Sequence, residues 1–158
     1  MVKVRYFSEM SNDFIDAGDG NDSVFGGKDD DILKGNTGID ILLGDIGNDS
    51  ICGGEDNDVL IGGNGDDLLD GDIGNDTLTG GAGADMFVLG QNYGAEVITD
   101  FSGTDDLLIL GTSLSFQQLS LSSANNSTLI RVAGSGELLA TLQGVDISQI
   151  GEQNFMMV

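Results

Sequence analysis

A nine-residue repeat dominates the first half of the chain. From Ala17 the sequence divides without a gap into eight units: AGDGNDSVF, GGKDDDILK, GNTGIDILL, GDIGNDSIC, GGEDNDVLI, GGNGDDLLD, GDIGNDTLT and GGAGADMFV. The sixth residue is always aspartate: Asp22, Asp31, Asp40, Asp49, Asp58, Asp67, Asp76 and Asp85. The eighth is always large and apolar: Val24, Leu33, Leu42, Ile51, Leu60, Leu69, Leu78 and Phe87. Such a fixed period predicts one small structural unit that stacks on its neighbours.

Each unit predicts a turn followed by a short strand. Its first six residues are rich in Gly and Asp, and Gly supplies the positive φ angles that tight turns need, with Asn or Asp tolerated there. In the last three residues the central side chain points to one face, because side chains alternate along a strand. Two units per circuit would wind the chain into a right-handed parallel β-roll, a β-helix-like solenoid. We therefore predict an all-β fold.

The apolar column of this roll is too thin to hold it together. Each large side chain contributes about 1.5 to 3 kcal/mol when it is buried, and there is only one of them in nine residues. Ordering the backbone costs about 1 to 2 kcal/mol for every residue. The turns must therefore bind something that stabilises them.

The phase of the aspartates indicates what binds. Two units per circuit place every second turn about 4.8 Å above the one before, which separates the acids into two stacks. One stack holds Asp22, Asp40, Asp58 and Asp76, and the other holds Asp31, Asp49, Asp67 and Asp85. Carboxylates at this spacing repel by about 1 kcal/mol in water. A divalent cation between consecutive turns would turn each repelling pair into ligands.

Calcium suits these turns. It takes six to eight oxygens at about 2.3 to 2.6 Å and accepts backbone carbonyls beside carboxylates, whereas magnesium demands a tighter octahedron. Zinc and copper favour the nitrogen and sulfur ligands that these turns lack. Four turns on each side leave about three gaps per side, which predicts about six calcium ions. The alternative is a set of solvated Asx turns without metal, but eight turns in strict phase favour the metal.

The candidate ligands are the eight aspartates and the residues at the second and fourth positions, whose carbonyls the turns expose. These residues are Gly18, Gly20, Gly27, Asp29, Asn36, Gly38, Asp45, Gly47, Gly54, Asp56, Gly63, Gly65, Asp72, Gly74, Gly81 and Gly83. Where Asp or Asn replaces Gly at these positions, it either adds a ligand or simply tolerates positive φ while facing water. A further calcium site is predicted at the junction after the repeats, from Asp100, Asp105 and Asp106.

The flanking segments predict two caps. In residues 1–16 the stretch SEMSNDFID keeps Asp13 and Ile15 in phase but lacks the glycines, which predicts a degraded capping repeat before the roll of residues 17–88. Residues 89–158 contain less Gly and several strand-like runs separated by turns. We interpret them as a small antiparallel β cap over the open end of the roll.

Composition excludes several functions. The net charge of −22, from 27 acids and 5 bases, opposes binding to nucleic acid or to anionic membranes. The chain has no histidine, which excludes His-based zinc sites and Ser-His-Asp triads, and we predict that it is not an enzyme. Cys52 is the only cysteine, so it forms no intramolecular disulfide. No segment is apolar enough for an amino-terminal signal peptide or a membrane span.

Residues 17–88 resemble the GGxGxDxUx repeats of the RTX, or repeats-in-toxin, family. The resemblance implies a calcium-binding β-roll, a carboxy-terminal cap and export through type I secretion machinery, with an uncleaved carboxy-terminal signal. It therefore implies an extracellular protein of a Gram-negative or related bacterium. DFSGTDDLLIL and the ending GEQNFMMV resemble the ends of RTX proteins more loosely, since Asn154 stands where an acid is common.

Three functions are compatible with these features. The leading hypothesis is a calcium-binding RTX module that folds on binding extracellular calcium and supports type I secretion of itself or of an upstream effector. The alternative is an extracellular adhesion or matrix protein in which the roll is a rigid spacer and the cap half binds a surface, a sugar or a protein. The third is a fragment of a secreted enzyme such as a protease, a lipase or an epimerase.

Overall fold

The computed structural model describes residues 3–6, 11–111 and 113–157. These residues form sixteen strands: β1 (Lys3–Tyr6), β2 (Phe14–Asp19), β3 (Asp22–Lys28), β4 (Ile32–Thr37), β5 (Ile41–Ile46), β6 (Ser50–Glu55), β7 (Val59–Asn64), β8 (Leu68–Ile73), β9 (Thr77–Ala82), β10 (Met86–Leu89), β11 (Glu96–Ile98), β12 (Leu107–Leu110), β13 (Leu119–Ala124), β14 (Ser127–Val132), β15 (Leu138–Gln143) and β16 (Phe155–Met157). Three short 3-10 helices lie between strands: Phe116–Gln118 precedes β13, and Ile147–Gln149 and Glu152–Asn154 precede β16. None of the helices in this part of the chain is long and apolar enough to cross a membrane.

The strands alternate between two sheets. The nine-stranded sheet has the order β1-β3-β5-β7-β9-β11-β15-β14-β13, and the seven-stranded sheet has the order β16-β12-β10-β8-β6-β4-β2. Within the repeats every pairing is parallel and joins residues 18 apart, as in Val24 with Leu42 and Leu42 with Leu60. This offset is two nonapeptides, so the predicted two units per circuit are confirmed.

One apolar column fills the space between the sheets. The eighth residue of every unit is at most 1% exposed. The column continues beyond the repeats to Ile15 at one end and to Ile98 and Leu108 at the other. The prediction of an all-β parallel roll is therefore confirmed.

The parallel pairing extends past residue 88, into the segment that the sequence analysis assigned to the antiparallel cap. In β11, Ile98 pairs with Leu78, and in β12, Leu108 pairs with Phe87. These offsets are 20 and 21 residues instead of 18. Short insertions in the turns shift the spacing while the strands keep their places, which is why a count at fixed period stops too early.

Antiparallel pairing is confined to the hairpins β13–β14 and β14–β15 within the described residues. β15 then pairs in parallel with β11, and β16 pairs in parallel with β12. The carboxy-terminal segment therefore extends the nine-stranded sheet by three strands, β15, β14 and β13, and the seven-stranded sheet by one, β16. Pairing in this segment is antiparallel only in part.

The amino-terminal unit is described in two pieces. β2 places Ile15 in the core and pairs in parallel with β4, as expected for a degraded repeat. β1 pairs in parallel with β3, so residues 3–6 extend the nine-stranded sheet by one strand. Residues 1–2 and 7–10, which belong to the predicted capping unit, lie outside the described residues.

Candidate metal sites

The turns owe their shape to the second and fourth positions of each unit. Glycine takes positive φ at most of these places, and the non-glycine residues there do the same, with φ between 64° and 81°. Those residues are Asp29, Asn36, Asp45, Asp56 and Asp72. Asp29, Asp45 and Asp56 are exposed, and Asn36 and Asp72 are half-buried. The sequence prediction that Asp and Asn replace Gly in the left-handed region is confirmed.

The sixth-position aspartates form an inner row of buried carboxylates. All eight are at most 2% exposed, which is unusual for acids. The strand registers separate them into the two predicted stacks, which we call the first side (Asp22, Asp40, Asp58, Asp76) and the second side (Asp31, Asp49, Asp67, Asp85). On each side consecutive members are 18 residues apart, one circuit of the roll.

In seven of the eight inner carboxylates, all but that of Asp22, one oxygen is seen to accept a hydrogen bond from the backbone of the preceding circuit. The Oδ1 atom of Asp58 accepts a hydrogen bond from the backbone N–H of Asp40 at 2.7 Å, and Oδ1 of Asp67 accepts one from Asp49 at 2.8 Å. The same bond recurs along both sides at 2.6 to 3.0 Å. Half of each carboxylate therefore connects two turns without metal.

The other oxygen has no such partner. Along both sides the Oδ2 atoms are buried and accept no hydrogen bond, as seen at Asp13, Asp31, Asp40, Asp49, Asp58, Asp67 and Asp76. A buried charged oxygen without a partner is strongly unfavourable. A row of them points to a cation that is required for stability.

The first-position glycines leave room beside these oxygens. A β-carbon on Gly53 would lie 2.5 Å from Oδ2 of Asp58 and 2.8 Å from the carbonyl oxygen of Gly71, one circuit further on. A β-carbon on Gly26 would lie 2.6 Å from Oδ2 of Asp31 and 2.8 Å from the carbonyl oxygen of Gly44. The same convergence occurs at Gly35, Gly44 and Gly62. At five places, therefore, a carboxylate and a carbonyl from consecutive circuits are directed into one small space.

The donors fit calcium. They are hard oxygens, half of them from the backbone, which is the mixture that calcium accepts and that zinc or copper does not favour. Among the described residues no group of three or more acidic or cysteine side chains is close enough to hold a metal ion by itself. An ion in the turns would therefore depend on carbonyl ligands, and a flexible oxygen-preferring cation meets that condition.

Burial raises the pKa of the inner carboxyls. It raises the pKa of Asp58 and of Asp67 to about 7, and that of Asp49 and of Asp85 to about 6, with neighbouring acids adding to the effect. The pKa values of Asp31, Asp40 and Asp76 are raised for the same reason. Without a cation, the folded state therefore disfavours ionisation of the inner carboxyl groups.

Both sides continue past the repeats into residues that the sequence analysis missed or separated. On the first side, the backbone N–H of Asp76 donates to Oε2 of Glu96 at 3.2 Å, and Glu96 is 3% exposed. Burial and the nearby Asp76 raise the pKa of Glu96 to about 9. On the second side, the N–H of Asp85 donates to Oδ1 of Asp106 at 3.0 Å. The signal was present: in EVI and DLL an acid precedes a buried apolar residue by two, as in every repeat.

The structure places the three acids of the predicted junction site in different surroundings. Asp106 is buried in the second side of the inner row. Asp100 accepts hydrogen bonds from the backbone N–H groups of Gly80 and Gly81 at 3.0 and 2.8 Å. Asp105 is exposed and accepts hydrogen bonds from Ser102 and Thr104. Asp106 is therefore the one of the three that continues the inner row.

A second, outer row of polar side chains runs along the fifth positions, and sequence reasoning missed it. Six of the eight units carry Asn or Asp there: Asn21, Asp30, Asn48, Asn57, Asp66 and Asn75. Each accepts a hydrogen bond from a backbone N–H one circuit further on, at 2.8 to 3.2 Å. These residues are exposed. The two rows thus connect the same circuits in opposite directions.

The sequence agrees with a known repeat family over the same residues. The family model of the RTX calcium-binding nonapeptide repeat, which comprises four copies, matches residues 11–33, 25–60 and 61–92, more than half of the chain. The chain belongs to the RTX calcium-binding repeat family. RTX repeats bind calcium, and the RTX solenoid is a non-catalytic structural module.

Three solved structures are similar to this chain to different degrees, and the first of them supports the fold. A subunit of the mannuronan C5-epimerase from Azotobacter vinelandii matches with a TM-score of 0.54 and 23% identity, over 87% of this chain and 78% of that one. The extracellular lipase LipA from Serratia marcescens matches with a TM-score of 0.42 and 18% identity, over 94% of this chain and 40% of that one. Another subunit of the same epimerase gives 0.35 and 25%, over 85% and 91%. A comparison with curated protein sequences finds no match.

Cys52 takes no part in the RTX turns. It is half-buried on the outer face of β6, in register with Lys34 and Asp70. Burial, together with the charges of Asp70 and Asp72, raises the pKa of its thiol to about 11. The thiol therefore stays protonated and unreactive, in agreement with the interpretation of Cys52 as a small residue on a strand.

Proposed function

We propose that this RTX chain is a calcium-triggered folding module that is exported unfolded and folds outside the cell. The observation that carries the proposal is the inner row, in which buried carboxylates each keep one oxygen without a hydrogen-bond partner. In a calcium-poor cytosol, the repulsion and desolvation of these acids oppose the roll. Outside, calcium binding supplies folding free energy, because the site does not exist in the unfolded chain.

The five places where a carboxylate and a carbonyl converge are the proposed calcium sites. Three lie on the second side, beside Asp31, Asp49 and Asp67, and two lie on the first side, beside Asp40 and Asp58. The first-position carbonyls thus join the proposed ligands, next to the second- and fourth-position residues expected from the sequence. Each ion would neutralise charge from two consecutive circuits. Five ions carry ten positive charges against the net charge of −22.

Circular dichroism of the full chain tests the folding step. In excess chelator at pH 8 we expect the spectrum of a largely unfolded chain, and millimolar calcium should restore β-structure in one cooperative step. Extracellular calcium modules bind at about 10⁻⁴ to 10⁻³ M, which sets the range of the titration. Magnesium at the same concentration is the matched control and should not induce folding. A β-spectrum that persists in chelator would contradict the proposal.

The export step needs a separate experiment. The full chain would be produced in bacteria with and without a co-expressed type I exporter, and its amount in the medium measured. Export should require the exporter, and the exported chain should become protease-resistant only when the medium contains calcium. Equal amounts of chain in the medium of both strains would contradict the export proposal while leaving calcium-dependent folding intact.

One feature favours an adhesion role in which the roll itself contacts a surface, in place of the cap half that the sequence analysis assigned to binding. The outer face of the nine-stranded sheet carries five uncharged apolar side chains over three adjacent strands: Phe25, Ile41, Leu43, Val59 and Ile61. Such a face could contact an apolar surface. Retention of the calcium-loaded chain on a hydrophobic surface, compared with an Ile41→Ser/Val59→Ser variant, tests this role. Equal retention of the wild-type chain and the variant would contradict this role.

A further inference from the structure

The first unit differs from the other seven at its first position. Glycine stands there in seven units, whereas the first unit has Ala17. Ala17 is fully buried. The difference is a single methyl group, placed where the other units leave space between two oxygens.

The strand register fixes which oxygens face that methyl. β2 pairs with β4 so that Asp16 lies opposite Lys34 and Gly18 opposite Asn36, which places Ala17 beside Gly35. By the repeat, the two oxygens that converge on this space are the carboxylate of Asp22 and the carbonyl of Gly35. In the next unit on the same side, the β-carbon position of Gly35 converges on Asp40 and Gly53 in this way.

A methyl group in this space excludes a calcium ion. Calcium needs its oxygens at about 2.3 to 2.6 Å, and a carbon atom lying between two of them prevents that approach. The methyl also provides no ligand. The Asp22 circuit still makes its backbone link, because the N–H of Asp22 donates to Oδ1 of Asp40 at 2.6 Å. The structural connection is therefore kept while the space for the ion is lost.

The residue before Asp22 on the same side also departs from the pattern. One circuit earlier, β1 places Lys3 in register with Asp22, whereas on the second side the equivalent residue before Asp31 is the acid Asp13. The first side therefore begins with a lysine and an alanine where later circuits have an acid and a glycine. At this end of the first side, the sequence therefore provides no acid at the register position before Asp22 and a methyl group in the space.

We infer that Ala17 closes the first position of this row to calcium, so that the roll binds one ion fewer on the first side than its eight units suggest. The inference rests on the proposed calcium sites and adds which unit does not use one. Ala17 thereby ends the ion column at the amino-terminal edge of the roll. On the first side, the spaces beside Asp40 and Asp58 stay open.

Counting bound calcium by equilibrium dialysis and native mass spectrometry tests the inference. Ala17→Gly should bind one ion more than the wild-type chain, because it restores the space. The matched control, Gly35→Ala, places the same methyl in the next unit of the same side and should bind one ion fewer than the wild type. An unchanged count in Ala17→Gly, or in folded Gly35→Ala, overturns the inference.

A second pair of variants covers the case in which Gly35→Ala does not fold. Asp22→Asn should leave the count at its wild-type value, because no ion lies beside Asp22, whereas Asp40→Asn should lower it by one. Equal losses in both variants overturn the inference. If the wild-type chain binds no calcium at all, the proposed function itself fails. If the wild-type chain binds calcium and Ala17→Gly adds none, only the inference about Ala17 fails.

Discussion

Asp66 and Asp67 are consecutive residues of the same type in one turn, yet they lie in opposite environments. Asp66 is exposed and accepts a hydrogen bond from the N–H of Ala84 at 2.8 Å. Asp67 is fully buried, and one of its two carboxylate oxygens has no hydrogen-bond partner. The outer row is thus complete without metal, and the inner row is not. Burial, and not residue type, makes one aspartate a proposed ligand and the other a surface link.

The largest effect should come from changing the ionisation of the whole inner row. The pKa values of Asp49, Asp58, Asp67 and Asp85 are raised from 3.8 to about 6 or 7, so the folded chain binds more protons than the unfolded chain between about pH 4 and pH 7. Without calcium, the free energy of unfolding should therefore fall as the pH rises through this window and level off above it. Because the chain should be largely unfolded in chelator at pH 8, folding induced by trimethylamine N-oxide in chelator, extrapolated to zero osmolyte, measures this at pH 5 and pH 8.

With calcium the sign reverses. Calcium binds the ionised carboxylates, so the stabilisation that it adds should grow as the pH rises towards about 7 and then stay constant. The measurement is the difference in unfolding free energy between calcium and chelator at each pH. A difference that does not change between pH 5 and pH 8 would contradict the assignment of the inner row as ligands.

Asp67→Asn should change stability in opposite directions in the two conditions. In chelator at pH 8 the variant should be more stable than the wild type, because a buried negative charge is removed. In calcium it should be less stable, by about 2.7 kcal/mol if one ion is lost at a calcium concentration one hundred times its dissociation constant. Thermal unfolding in calcium and osmolyte-induced folding in chelator give the two differences. A change in stability of the same sign in both buffers would contradict the assignment of Asp67 as a calcium ligand.

Asn48→Ala removes one link of the outer row. Asn48 is exposed, and its Oδ1 accepts a hydrogen bond from the N–H of Asp66 at 2.9 Å. The loss should cost about 0.5 to 1.5 kcal/mol, and by the same amount with and without calcium, because no proposed site includes this oxygen. Thermal unfolding in calcium and osmolyte-induced folding in chelator check both values. A loss confined to the calcium buffer would indicate that the outer row also contributes to ion binding.

Asp66→Asn should have the smallest effect. Asn keeps the oxygen that accepts from Ala84, and the charge it removes faces solvent. We expect a change within about 0.5 kcal/mol in either buffer and an unchanged calcium count. The variant is the matched control for Asp67→Asn, since the same substitution is made one residue away. A loss of one ion in Asp66→Asn would contradict the claim that the buried aspartate, and not the exposed one, binds calcium.

The period of the repeat was sufficient to predict the roll, its core column and the two sides of the inner row. The sequence predicted less where the period breaks or where a position accepts more than one residue type. A count at fixed period missed Glu96 and Asp106 because they follow Asp76 and Asp85 by 20 and 21 residues instead of 18. The sequence analysis missed the outer row because its positions accept either Asn or Asp and two units have neither.

The first-position glycines were underestimated for a different reason. A glycine in a turn is usually interpreted through its φ angle, and these residues matter through the absence of a β-carbon. Only the neighbouring circuit shows that the space beside Gly53 lies between Asp58 and the carbonyl of Gly71. Alanine at position 17 differs from glycine by only one methyl group. The effect of that methyl depends on Asp22 and Gly35, which lie 5 and 18 residues away and do not occur together in any short sequence pattern.

The constant 18-residue offset between paired strands gives the roll the character of a one-dimensional chain of equivalent links. Each circuit contacts only the circuits before and after it, so order can spread from one end as in a zipper. The carboxy-terminal end, where hairpins supply local contacts and β15 and β16 offer the first edges, is the natural starting point. From that end we expect the roll to grow towards the amino terminus, one circuit at a time.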